Sequence, residues 1–207
     1  MTTELLVLHA VRILGFADDA AVARRFALDP ATTGELLLDA QASGLVDRAQ
    51  FADLAGWSLT ARGRARGEAL LADELDRAGA RATVRDVHRA FLPLNARLRQ
   101  ACTDWQLRPV PTDALAANDH TDAAWDVRVL DDLAAVELGL APLAARLADV
   151  LPRFAGYDDR FAAARRRAAA GDGRWVDATD VDSCHRVWFE LHEDLVATLG
   201  LDRRTET

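Results

Sequence analysis

Residues 4–15 (ELLVLHAVRILG) place apolar side chains at Leu5, Leu8, Val11 and Ile13 or Leu14, a spacing that predicts a helix ended by Gly15. The apolar character wraps widely, as in a helix packed between others, and His9 within it reads as a packed or dimer-interface histidine rather than a ligand. Asp18 or Asp19 can N-cap a second helix over residues 20–26, whose Val22 and Phe26 face the core at i, i+4. A turn at Leu28-Asp29-Pro30 restarts the chain, with Asp29 as N-cap and Pro30 at the first helical position. The third helix runs to about residue 42. Thr33, Leu37 and Ala40 share its inner face, while Ala31, Thr32, Glu35, Leu38 and Asp39 point outward. Gly44 supplies the left-handed residue that closes it.

The period then changes. Residues 45–51 alternate loosely as a half-buried strand, residues 53–56 carry turn chemistry, and residues 57–59 return as the partner strand. Thr60 caps a helix to about residue 75, and Gly79 interrupts the pattern. A long helix is predicted over residues 83–107, kinked at Pro93, with Val84, Val87, His88, Phe91, Leu94, Leu98 and Cys102 at 3-and-4 spacing. Pro109-Val110-Pro111 breaks it. A polar loop, residues 118–122, caps a helix over residues 123–139 that buries Trp125, Val129, Leu133 and Val136. A separate helix follows over residues 142–150, then an Arg- and Ala-rich one over 157–170, and a last one over 184–199. No repeat or low-complexity segment is present. The expected fold is mainly α: an N-terminal winged helix-turn-helix with a small β-hairpin over residues 1–78, then an all-helical bundle over residues 79–207.

Gly44-Leu45-Val46, a hairpin, and then Trp57-Ser58-Leu59-Thr60-Ala61-Arg62-Gly63 resemble the wing of MarR-like winged-helix regulators. In that family a "GLV … (aromatic)-x-LT-x-x-G" pattern closes the DNA-binding unit. The likeness covers the first third of the chain. It implies a homodimeric DNA-binding transcriptional regulator whose helical region dimerises, senses a small molecule, or does both. The second helix of such a unit enters the major groove by its N-terminal end, here Thr32, Thr33 and Glu35. Arg24 and Arg25 would hold phosphates, Arg48 and Gln50 sit on the wing, and Arg62, Arg64 and Arg66 would grip the backbone. The groove helix offers no Arg or Asn for guanine or adenine, so sequence preference would rest on DNA shape more than on direct contacts.

Charge complicates this picture. The chain carries a net −8, and residues 1–75 hold seven Arg against eleven Asp and Glu. Such a balance weakens long-range attraction to nucleic acid, so the arginines would have to gather on one face. All 25 basic residues are Arg, whose forked guanidinium suits phosphate, although GC-rich coding accounts for the same bias. A winged helix used only to dock another protein is the competing reading. No run approaches the ~20 apolar residues of a membrane span, and the N-terminus has no signal-peptide pattern. With only Cys102 and Cys184, the expected setting is a reduced cytoplasm.

In the helical region Trp105, Trp125, Trp175 and Trp188 could wall a ligand pocket, with His120, His185, Arg186 and His192 as polar handles; the tryptophans could equally fill the core. A metal site would draw on His120, His185 and His192, but the i, i+7 spacing of the last two spans about two turns, and no metal ligand is assigned. Both cysteines read as inert small hydrophobes, and the Arg165-Arg166-Arg167 run as a solvated face. P-loop, G-x-G-x-x-G, nucleophile-elbow and H-E-x-x-H patterns are missing, so neither a cofactor nor catalysis is expected.

Overall fold

A computed structural model describes residues 2–51 and 54–201. These divide into two compact units, one formed by residues up to 81 together with those from 192, the other by residues 82–191.

The first unit contains α1 (Thr3–Leu14), α2 (Asp19–Arg25), α3 (Pro30–Ala42), the antiparallel strands β1 (Val46–Phe51) and β2 (Leu54–Leu59), and α4 (Ala61–Arg77). Its helices start where side chains can satisfy free N–H groups. Thr2 accepts from the Leu5 amide, Asp18 from Ala21, Asp29 from Thr32 and Thr60 from Gly63. The buried faces of α1, α2 and α3 meet in a core of Leu5, Leu8, Val11, Val22 and Leu37, with Trp57 from β2. As the pattern implies, Thr33, Leu37 and Ala40 are buried on α3. The reversal between α2 and α3 falls at Ala27, which takes a left-handed φ of 50°.

The hairpin is longer than the sequence suggests. Gly56 pairs with Ala49 and Ala55 with Gln50, so residues 54–56 belong to β2 and not to the turn. Strand pairing overrides the turn preference of that run because every second added pair exchanges two backbone bonds along the ladder. Asp53, the first residue of the expected turn, lies outside the described residues. Ala17 adds an isolated antiparallel bridge to Trp57, its amide 3.2 Å from the Trp57 carbonyl and its carbonyl 2.8 Å from the Trp57 amide.

The second unit is helical, built on α5 (Arg81–Gln106), α6 (Ala123–Val150), a 3-10 turn over Pro152–Phe154, α7 (Tyr157–Ala169) and the short α8 (Arg174–Asp177). One expected break is not a break. Helix α5 continues through Pro93, as the single long helix of the sequence pattern does, but α6 runs through Gly139 and Pro142, where that pattern suggests two helices. Pro142 is exposed, so its missing donor costs little packing, and Gly139 is a contact residue: an added Cβ would lie 2.8 Å from a Leu94 methyl. The core holds Phe91, Leu98, Leu133, Phe161 and Trp188; the Trp188 ring stacks on Phe91 at 4.6 Å and meets Phe161 edge-on at 5.8 Å.

The last helix, α9 (Cys184–Leu199), is shared. Its first half belongs to the second unit, and residues from His192 belong to the first, where Ala197 joins the core. Residues 192–201 thus cluster with the first unit, whereas the sequence pattern groups them with residues 79–191. The anchors are specific: buried His9 Nε2 lies 2.8 Å from Asp194 Oδ1, and Arg12 Nε donates to Glu193 Oε1 at 2.9 Å. His9 is thus a packed histidine within the chain.

Candidate functional site

The Gly44–Gly63 segment is a small lock. Gly44 adopts φ 67°, and the Leu45 amide donates back to the Ala40 carbonyl at 2.8 Å, closing α3. The Thr60 hydroxyl donates to the Gly44 carbonyl at 2.8 Å while accepting from the Gly63 amide at 2.9 Å. The Thr60 amide donates to the Leu45 carbonyl at 3.1 Å. A Cβ at Gly63 would sit 1.8 Å from that same carbonyl, so only glycine lets α4 start here. Trp57 closes the other side: its ring is buried, and its indole N–H donates to Asp19 Oδ1. These contacts fix the hairpin against α2, α3 and α4.

The groove-facing residues divide on inspection. Thr32 and Glu35 are exposed, together with Leu38 and Asp39. Thr33 is not available: it has no exposed surface, and its hydroxyl donates to the Asp29 carbonyl at 2.8 Å because the helix turns that face inward. Hydrogen bonds from the Thr32 amide and hydroxyl hold the Asp29 carboxyl below its ordinary range. Among the arginines, Arg24, Arg48, Arg62, Arg64 and Arg66 are exposed and Arg25 is half-buried over the Phe26 ring. Arg48 lies 5.3 Å from the Trp57 ring centroid, and Gln50 beside it on β1 is exposed. Arg66 is forked onto Glu4 at 2.9 and 3.0 Å, which offsets its charge. Arg64 lies 4.0 Å from Glu193. Among the described residues no ion pair is seen for the exposed Arg24, Arg48 and Arg62, while α3 itself presents Glu35 and Asp39.

Of the tryptophans and histidines expected to form one pocket, Trp105, His120 and Trp125 group at the end of α5, and the others make separate contacts. Trp188 is buried core, its N–H on Asn95 Oδ1 at 3.0 Å. Trp125 is half-buried rather than core, donating to the Asp104 carbonyl at 2.6 Å with Arg128 over its ring at 4.4 Å. Trp175 lies under Arg167 at 4.1 Å. Trp105 meets His120 at 4.5 Å between ring centroids. His192 lies with the first unit, and among the described residues no three metal-ligating side chains come together.

Two arrangements were missed by pattern alone. His120, held at a left-handed φ of 56°, places Nδ1 at 3.0 Å from Asp126 Oδ2, and Asn118 donates to Asp126 Oδ1 at 2.9 Å. A carboxylate accepts only, so a ring N–H at Nδ1 would donate to Asp126. Asn118 and His120 stand in the polar loop that the sequence marks, but Asp126 is hidden in the following helix. Separately, a cavity of about 380 Å³ lies between α5 and the start of α9, lined by Arg99, Cys102, Gln106 and His185 among others. Of the residues expected to bind a ligand, His185 alone lines it. Burial pushes both Cys102 and Cys184 up to about 12, so neither thiol is ionised near neutral pH.

Protein-family models, curated proteins and solved structures were compared with the chain, and none matches. No described helix is long and apolar enough to cross a membrane.

Proposed function

We propose that the chain is a cytoplasmic DNA-binding transcriptional regulator that acts as a homodimer, its first unit a MarR-like winged helix-turn-helix and its helical unit a small-molecule sensor. The observation that carries the reading is the order and exposure of the first unit. Two short helices are joined by a tight reversal, the second exposes a whole face, and a hairpin is locked beside it by Thr60 and Gly63. The bridge from Ala17 to Trp57 ties the hairpin to the segment that leads into α2. With Glu35 and Asp39 on the groove face, contact to phosphates falls to Arg24, Arg48 and Arg62, and Thr32 is left as the side chain that can reach a base edge. The cavity beside His185 and Arg99 supports an effector of modest size.

The test is binding of the purified protein to DNA from upstream of its own gene over a salt series. The logarithm of affinity falls linearly with that of salt, and Arg24→Ala and Arg62→Ala each weaken binding and flatten the slope by about one phosphate equivalent. Binding that is absent at low salt, or indifferent to both substitutions, overturns the reading.

A second reading is favoured by one observation. The exposed face of α3 combines Leu38, 55% exposed, with Glu35 and Asp39, an apolar and acidic surface suited to a basic protein partner. If the protein binds no DNA and Leu38→Glu abolishes capture of a basic protein partner, the docking module prevails.

A further inference from the structure

Helix α6 spans 28 residues, and one face of it is buried through Val129, Leu133, Val136, Leu140 and Leu147. The opposite face is also apolar. Val127 and Leu138 are 54% and 79% exposed, and Ala134, Ala141, Pro142 and Ala145 fall on the same stripe at helical spacing. A solvent-facing stripe on a long helix is normally charged. Here the exposed charges, Arg128, Asp131, Arg146 and Asp149, all fall on one side of Leu138, the aspartates within the stripe and the arginines at its edge. The neighbouring carboxylates are used within the chain: Asp132 accepts from Arg97 at 2.9 Å, and Glu137 is paired with Arg165.

The order of those four charges is self-complementary. Arg128 and Asp149 are equidistant from the point between Leu138 and Gly139, and so are Asp131 and Arg146. At 3.6 residues per turn all four lie on the same side of Leu138. A two-fold axis that sets one α6 antiparallel against a second copy brings like edges together. It places Arg128 opposite Asp149 of the second copy and Asp131 opposite its Arg146, with Leu138 packed on Leu138 at the axis. A parallel pair would set each charge against its own kind.

We propose that α6 is an antiparallel homodimer interface, with a second copy of this chain as its occupant and Arg128–Asp149 and Asp131–Arg146 as the four intermolecular ion pairs that fix its register. The proposal deepens the homodimer part of the regulator reading, yet it is tested without DNA, so either can fail alone.

The experiment is sedimentation equilibrium of the full chain over a micromolar concentration range, with circular dichroism as the check on folding. Wild type sediments as a dimer and Leu138→Glu as a folded monomer. D131R and R146D each raise the dissociation constant by about tenfold or more, since each puts two like-charge contacts in the interface. The double variant D131R/R146D restores the wild-type constant. Oxidation of L138C yields a disulfide-linked dimer, whereas V127C yields none, because two Val127 positions lie about 35 Å apart in an antiparallel pair at 1.5 Å per residue. A monomeric wild type overturns the proposal, as does a double variant no better than the singles or equal cross-linking at both cysteines.

Discussion

Glycine means different things in the two units. In the first, Gly63 stands against a backbone carbonyl, and the Cβ of any other residue would meet it at 1.8 Å. In the second, Gly139 stands against the end of the Leu94 side chain, at 2.8 Å. One contact is with an element that cannot move without undoing the hairpin; the other is with a methyl that can rotate. The contrast extends to whole elements. The first unit is made of short pieces, each started by its own cap and stopped by its own turn. The second is made of long helices whose local stop signals are overruled by packing.

The largest expected effect tests whether the second unit has comparable rigid points of its own. Glu190 is 2% exposed, 2.8 Å from Arg160 and 3.5 Å from Arg186, and Arg160 also donates to Asp182 at 2.8 Å. Burial alone would lower the Arg160 pKa, but Asp182 and Glu190 outweigh it and the net shift is upward. Arg160→Met should cost about 3 kcal/mol by leaving a buried carboxylate short of a partner. Hydrogen exchange should show the loss in α7 and the first half of α9, with the hairpin unchanged; equal loss in the hairpin would break the distinction between the units.

Next comes Gly63→Ala, expected to cost roughly 1–3 kcal/mol because α4 or Leu45 must shift. Exchange should accelerate in β1, β2 and the start of α4. The matching substitution, Gly139→Ala, should fall within about 1 kcal/mol of wild type, since the gain in helix propensity offsets the displaced Leu94 methyl. If the two alanines cost the same in urea unfolding, backbone contact is not what distinguishes these glycines.

The smallest effect is in acid. Asp29 caps α3 and Asp122 caps α6, and amide hydrogen bonds, led by Thr32 and by Trp125 respectively, lower both folded pKa values from 3.8. A depressed carboxyl contributes stability that is fully present above its unfolded value and is lost as pH falls through the lower folded one. Urea midpoints should therefore drop below about pH 4. Asp29→Asn and Asp122→Asn, which cap without titrating, should each flatten part of that drop, one in each unit.

The sequence by itself determined the first unit's element order, the inner face of α3, and the caps at Asp29 and Thr60, and narrowed the α2 cap to Asp18 or Asp19, because each rests on residues within a turn or two of one another. It marked the Thr60–Gly63 motif but not why the glycine is required, since Leu45 reaches it only through the folded hairpin. Burial of Thr33 beside exposed Thr32 was half legible: the helical period puts Thr33 inward, yet a groove-reading role needs it outward. Tertiary structure alone decided that α6 is one helix, that α9 serves both units, and that His120 pairs with Asp126 while Trp188 goes to the core. These outcomes turn on contacts between residues far apart in the chain, such as Leu94 with Gly139 or His9 with Asp194, and no local pattern encodes which distant side chain will fill a given space.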